Sequence, residues 1–177
     1  AGRPMIVWPV LAAREAGAGR VAVIVSPGTD VAPALPEGVE TVVQPVADGT
    51  GGAVRAAIDL VREGDTVLVL SGDHPMISAE ALTELLDAHR AAGAAATLMT
   101  TELDDPGHYG RIVRDADGEV ERIVEAKHPG DATPEELAIR EVNTGTYVFE
   151  AGPLLESLGR IGNDNVAGEY YIGDVVP

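Results

Sequence analysis

Hydrophobic positions change period along the chain, and the changes mark out its elements. Met5–Ala16 reads as a core-facing helix, and Val21–Val25 (VAVIV) as a short buried strand closed by Ser26–Pro27–Gly28. Glu40–Val43 predicts a second strand. From Gly49 to Glu63, the residues Val54, Ala57, Ile58 and Val61 fall at the spacing of one buried helical face. Thr66–Leu70 (TVLVL) is a continuous apolar run, the pattern of a central parallel strand covered on both faces. Ser78–Ala92 repeats the helical stripe with Leu82, Leu85, Leu86 and His89, and Ser78 ahead of Glu80 and Ala81 predicts an N-cap. Ala95–Thr101 completes the alternation as another strand.

Strands alternating with helices of this length predict βαβ units and a mostly parallel sheet. The second half changes character. Arg111–Arg114 and Val120–Val124 flank Asp115–Ala116–Asp117–Gly118, a hairpin with Asp-Gly turn chemistry. Glu141–Phe149 predicts a strand, Pro153–Leu158 a short helix and Gly162–Gly168 a loop, with Pro129–Pro134 as a flexible excursion. The pattern amounts to one α/β domain with an antiparallel insertion.

Composition narrows what such a domain does. The chain has 177 residues, 45% of them hydrophobic, enough for one good core and short for two. Its 29 Asp and Glu against 12 Lys and Arg give a formal charge of −17. That surface repels phosphate backbones and anionic lipid, so no nucleic-acid or membrane partner is expected. A small anionic ligand would need a metal ion or backbone N–H groups to offset the charge. The absence of cysteine excludes disulfides, thiolate metal sites and cysteine nucleophiles. No apolar run approaches the roughly 20 residues of a membrane helix. Pro4–Ala13 after Arg3 has some signal-peptide character, but two prolines interrupt it and Arg14–Glu15 follow at once. A cytoplasmic location is the simplest expectation. The start at Ala1 and the end at Val175–Val176–Pro177 suggest a piece of a longer protein.

The most informative chemistry is Ser71–Gly72–Asp73, directly after the run Thr66–Leu70. Ligands of open α/β sheets bind outside the carboxyl ends of strands, so Asp73 is expected at the ligand crevice. Its carboxylate suits Mg²⁺ shared with substrate phosphates, because magnesium takes only one or two protein carboxylates and keeps waters. A helix-initiating turn is the plainer account, since Pro75 and Ser78 follow. Gly49–Thr50–Gly51–Gly52 opens a helix and offers N–H groups to an oxyanion or a nucleobase carbonyl. It lacks the dinucleotide spacing and the Walker lysine, and a tight turn is the plainer account. His74, His89, His108 and His128 are scattered, and no GxSxG elbow is present. Trp8 and Met76 read as packing residues.

Taken in order, several segments resemble the uridylyltransferase (pyrophosphorylase) domain of the bacterial N-acetylglucosamine-1-phosphate uridylyltransferases, in the sugar nucleotidyltransferase superfamily. They are Gln44–Val54 (QPVADGTGGAV), Val67–Ile77 (VLVLSGDHPMI), Tyr109–Gly110–Arg111–Ile112, Ile123–Val124–Glu125, Glu141–Val142–Asn143–Thr144–Gly145 and Asn163–Asp174 (NDNVAGEYYIGD). The resemblance covers most of the chain, and NDN-x-x-GEYY is its most specific part. It implies a Rossmann-like nucleotide-diphospho-sugar transferase fold spanning 1–177, with residues 110–147 as a sugar-binding antiparallel part. By the same resemblance Gln44, Gly49 and Thr50 recognise uracil. Ser71, Gly72 and Asp73 contact nucleotide and metal, with Asp73 as the Mg²⁺ ligand. Gly110, Glu125 and Asn143 hold the amino sugar. Residue-level alternatives stay open, since Gly110 could simply begin a hairpin and Asn143 cap a loop.

The implied reaction joins UTP and N-acetylglucosamine 1-phosphate into UDP-N-acetylglucosamine and pyrophosphate, a step toward cell-wall precursors. The family's opening strand and Gly-rich loop (LAAG-x-GTRM…PK) do not match anything here. Its second magnesium-binding asparagine and its β-helix acetyltransferase domain do not match either. Gly52 stands where relatives often have histidine, and Lys127–His128–Pro129–Gly130 lengthen the loop after Glu125. Little turnover is therefore expected of this chain alone, and a monomer is expected because family trimers rely on the β-helix. Two alternatives remain: a nucleotidyltransferase for another sugar 1-phosphate or nucleotide, and a non-catalytic nucleotide-sugar binding module.

Overall fold

The structure, a computed structural model, describes residues 2–176, so Ala1 and Pro177 of the expected span lie outside it. Its helices are α1 (Val7–Glu15), α2 (Thr50–Ala56), α3 (Ala79–Ala92), α4 (Pro134–Leu137) and α5 (Ala151–Leu158). Its strands are β1 (Ala22–Val25), β2 (Glu40–Val43), β3 (Thr66–Val69), β4 (Ala96–Glu102), β5 (Arg111–Arg114), β6 (Val120–Val124) and β7 (Glu141–Glu150). Short 3₁₀ turns occupy Ala32–Ala34, Ile58–Leu60 and Ile172–Val175.

The α/β class stands, but the strand pairing differs from the expectation of a mostly parallel sheet. Among the described residues, parallel hydrogen bonding joins only β1 to β2, from Ala22 opposite Glu40 to Val25 opposite Val43. The other five strands form one antiparallel sheet built around β7. β4 runs along one edge of β7, from Glu102 opposite Glu141 to Ala96 opposite Phe149. The other edge is shared by β3, opposite residues 147–150, and β5, with Arg111 opposite Val142. β3 and β4 therefore keep the parallel direction expected of a βαβ unit, with β7 between them.

That insertion also moves the central strand. Thr146, Tyr147, Val148 and Phe149 are all at most 2% exposed, so β7 is the strand covered on both faces. Val67, Leu68 and Val69 of the TVLVL run are only half-buried, and β3 is hydrogen-bonded along one edge alone. An apolar run reports burial tendency and carries no information about which neighbour its backbone meets.

The main core packs Tyr147 and Phe149 against Val54, Leu154, Leu158, Ile172 and Val175. The two rings stack with centroids 5.6 Å apart. A smaller core under α1 gathers Val10, Val23 and Val25. On α3 the predicted stripe is buried at Leu82, Leu85 and His89, Ser78 Oγ accepts the Ala81 N–H at 3.2 Å, and Gly93 ends the helix at φ +58°. His89 is a satisfied core histidine: Nδ1 lies 2.8 Å from Thr97 Oγ1 and Nε2 3.0 Å from Glu150 Oε1.

Other local expectations shift in detail. The helix expected over Gly49–Glu63 stops at Ala56, because the Ala57 N–H turns back to Val54 O and the chain tightens to 3₁₀. Pro129–Pro134 is less free than expected: Thr133 caps α4 in a reciprocal capping box with Glu136. The hairpin turn holds, with Asp115 Oδ1 accepting N–H bonds from Asp117 and Glu119. Met76, 91% exposed, is not a packing residue, and Trp8, 41% exposed, packs only in part.

Candidate active site

The site begins with an irregularity in β7. Between Leu98 opposite Tyr147 and Thr100 opposite Asn143, β4 advances two residues while β7 advances four. The extra residues make a bulge at Thr144–Gly145, where Gly145 adopts φ +75° and Thr144 Oγ1 donates to Met99 O at 2.8 Å. The bulge aims and locks Asn143. Its Oδ1 accepts from the Gly145 N–H at 2.9 Å, its Nδ2 donates to the Tyr147 hydroxyl at 2.5 Å, and its own N–H donates to Gly110 O at 2.9 Å.

Gly110 immediately precedes β5, beside this asparagine. A β-carbon there would lie 3.7 Å from both Asn143 Cβ and Glu125 Oε1, and 3.1 Å from Ile123. The three residues assigned to the sugar by resemblance are thus brought together, with Gly110 buried and leaving room between the two side chains.

Glu125 borders a cavity of about 380 Å³, also lined by Asp131, Asp164, Asn165, Tyr171 and Asp174. This concentration of carboxyls has consequences. Partial burial and the Glu125 charge raise the pKa of Asp174. Burial first, and then carboxylates including Glu125, push the Tyr171 phenol up to about 12. Tyr147 is likewise pushed up to about 12, chiefly by burial, so both phenols stay protonated at neutral pH. The nearest cation is Lys127, whose Nζ is 3.2 Å from Glu125 Oε2 and 4.7 Å from the centre of the Tyr171 ring.

On the other side of Tyr171 lies the glycine-rich turn. Gly49 has φ +100°, and a β-carbon there would stand 2.5 Å from Tyr170 O. The Gly51 N–H donates to Tyr170 O at 2.7 Å, the Tyr170 N–H to Asp48 O at 2.8 Å, and the Ile172 N–H to Thr50 Oγ1 at 3.0 Å. Two members of the expected base-reading set are therefore partly committed within the protein. Gln44 is committed through its amide: Nε2 donates to Asp48 Oδ1 at 2.8 Å and to Gly49 O at 3.1 Å. The Asp48 carboxylate lies against Gly52 and supplies negative charge at this helix start, which favours the nucleobase carbonyl over the oxyanion among the two ligands expected there.

Contacts run unbroken from Gln44 through Tyr170–Ile172 to Glu125, Gly110 and Asn143, and the bulge then reaches Ser71. A β-carbon on Gly145 would lie 3.0 Å from Ser71 Oγ. Gly72 and Asp73 follow at the carboxyl end of β3, and both are exposed. Among the described residues no group of three or more His, Asp or Glu side chains could hold a metal ion. Asp73 offers a single exposed carboxylate, a donor set that fits a hydrated Mg²⁺ completed by substrate oxygens and unsuited to a closed protein cage.

Sequence reasoning missed Asp48, Lys127, Tyr147 and Tyr171. Asp48 had a usable signal, lying between Gln44 and Gly49 within the matched motif. Tyr171 had the same kind of signal, lying within Asn163–Asp174, whereas Lys127 and Tyr147 had none that local pattern could show.

The family of nucleotidyl transferases matches residues 2–177. A curated relative, "Bifunctional protein GlmU" of Geobacter metallireducens, is 48% identical over 181 residues, covering 99% of this chain and 37% of that protein. A protein of the same name from Shouchella clausii is 44% identical over 99% of this chain and 38% of its own length. The chain thus spans a little over a third of the length of these relatives. Among solved structures, a UDP-glucose pyrophosphorylase complexed with UDP-glucose superposes with TM-score 0.70 over 97% of this chain and 73% of that one, at 17% identity. That likeness concerns the fold.

Proposed function

The chain belongs to the nucleotidyl transferase family, and from that premise we propose that it is the part of a uridylyltransferase that binds UTP and N-acetylglucosamine 1-phosphate. In the reaction, a phosphate oxygen of the sugar phosphate attacks the α-phosphorus of UTP. A bond forms there as the bond to the bridging oxygen of the β-phosphate breaks, and pyrophosphate leaves. The product is UDP-N-acetylglucosamine, a precursor for cell-wall synthesis.

The observation that supports this reading is a chain of contacts. It links Gln44, Asp48 and Thr50 through Tyr170–Ile172 to the cavity bordered by Glu125 and Tyr171, with Gly110 and Asn143 beside Glu125 and Ser71 against the bulge. A base and a sugar held at such sites leave the connecting phosphates near the end of β3. Gln44, Gly49 and Thr50 orient the uracil. Glu125 and Asn143 take sugar hydroxyl and acetamido groups over the space that Gly110 leaves. Ser71 and Gly72 approach the nucleotide. Asp73 is the residue that would hold Mg²⁺, whose charge offsets that of the phosphates in a domain of net charge −17. Positioning and charge neutralisation suffice for such a transfer, so no protein nucleophile is required.

The same reading makes residues 110–147 the sugar-binding part of one domain, places the protein in the cytoplasm and gives small molecules as its partners, with the chain itself monomeric. No helix among the described residues is long and apolar enough to cross a membrane.

Pyrophosphate release by the whole uridylyltransferase, of which the chain is proposed to be a part, tests the proposal, measured with UTP against other nucleotides and with N-acetylglucosamine 1-phosphate against glucose 1-phosphate. Preference for the UTP and amino-sugar pair is expected, and equal use of glucose 1-phosphate would overturn the sugar assignment. Calorimetric binding of UDP-N-acetylglucosamine in Mg²⁺ separates a binding module, which would bind without ever turning over, from the enzyme.

A further inference from the structure

Gln44 has one hydrogen-bonding atom left. Both hydrogens of its amide nitrogen point at acceptors that cannot donate in return, Asp48 Oδ1 at 2.8 Å and Gly49 O at 3.1 Å. Turning the amide over would set Oε1 against two oxygens and leave the half-buried Asp48 Oδ1 without a donor, while Gly49 O would keep the Ala53 N–H at 3.0 Å. The amide is therefore held with Oε1 outward, as an acceptor.

We infer that Asp48 is a specificity-determining positioning residue, which fixes the Gln44 amide so that the crevice accepts a nucleobase presenting a ring N–H and disfavours one presenting a bare ring nitrogen. Uracil carries a hydrogen at N3. Cytosine carries a lone pair there and would face Oε1 acceptor to acceptor. The inference rests on the placement of the base at Gln44 under the proposed function, and it adds the residue that decides the amide's direction.

Gly52 belongs to the same device. Its missing β-carbon would collide with Asp48 Oδ1, so the carboxylate can lie beside Gln44 only while position 52 is glycine. The backbone there does not require glycine, since Gly52 is not among the positive-φ residues and sits within α2. Space for the carboxylate is what an added methyl would remove.

The test is calorimetric binding of UTP and CTP, each with Mg²⁺, to the protein and its variants. The unaltered protein is expected to prefer UTP. Asp48→Ala should cut the UTP/CTP affinity ratio by about tenfold, the scale of one hydrogen bond to a charged group. Asp48→Asn, which keeps an acceptor oxygen at the same place, should restore most of the ratio. Gly52→Ala, favourable for a helix, should lower the ratio as Asp48→Ala does, and the double variant should lower it no further. A purely structural role for Asp48 would change melting temperature and leave the ratio alone. A ratio that stays within about twofold of the original in both single variants overturns the inference. Equal binding of UTP and CTP by the unaltered protein would instead overturn the placement of the base at Gln44.

Discussion

Ser71 Oγ lies 3.0 Å from where a β-carbon on Gly145 would stand, so the end of β3 and the bulge of β7 approach closely at a residue without a side chain. Gly145 also holds φ +75°, a conformation L side chains rarely adopt. One glycine thus sets both the close approach of two strands and the hydrogen bond that orients Asn143.

Gly145→Ala should therefore damage stability and the sugar site together. Strain and crowding of this kind cost about 1–3 kcal/mol. Urea denaturation should show that loss. Affinity for N-acetylglucosamine 1-phosphate should fall more than affinity for UTP, and an unchanged midpoint would show that the bulge adapts without strain.

Asp73→Asn should leave the fold intact, since Asp73 is exposed and makes no hydrogen bond among those of the described side chains. In the whole uridylyltransferase, metal-dependent turnover should fall by at least about a hundredfold, the scale of removing a major charge-stabilising group. Retained turnover at saturating Mg²⁺, with unchanged circular dichroism, would remove Asp73 from its proposed role.

Lys127 is the cation at the acidic cavity, held between Glu125 and the Tyr171 ring. Lys127→Ala leaves Glu125 without its ion-pair partner in a site proposed for an anionic sugar phosphate. The KM for the sugar phosphate should rise by about threefold to tenfold, more at low salt than at high, while the KM for UTP stays nearly constant. Equal rises for both substrates would mean that the lysine acts on the fold rather than on the sugar side.

Arg114 grips Glu141 with two bonds, Nε to Oε2 at 2.8 Å and Nη2 to Oε1 at 2.6 Å, at the start of β7. The Arg114 hydrogen bonds hold the Glu141 carboxyl below its ordinary value of 4.5. Because the folded carboxyl binds its proton less readily than the unfolded one, the stabilisation is full above that ordinary value and fades as pH falls through the depressed one. For so exposed a pair it amounts to about 0.5–1 kcal/mol. Glu141→Gln should be less stable than the parent by that amount at neutral pH, with the difference closing in acid. A difference that persists in acid would point to packing instead of charge.

How far the chain could be read in advance follows from how local each feature is. The Ser78 cap and the Asp115–Gly118 turn depend on neighbours within a few residues, and the sequence determined them. It also determined the α/β class, and its matched segments marked out Gln44, Ser71–Asp73, Gly110, Glu125 and Asn143 as a candidate set. Only the tertiary structure decided that β7 lies between β3 and β4, that TVLVL is half-covered, that Asp48 turns the amide of Gln44 and that Lys127 rests on Tyr171. Backbone edges hydrogen-bond without regard to side-chain identity, and these contacts join residues distant in sequence or set by a single rotamer, so no periodicity along the chain records them.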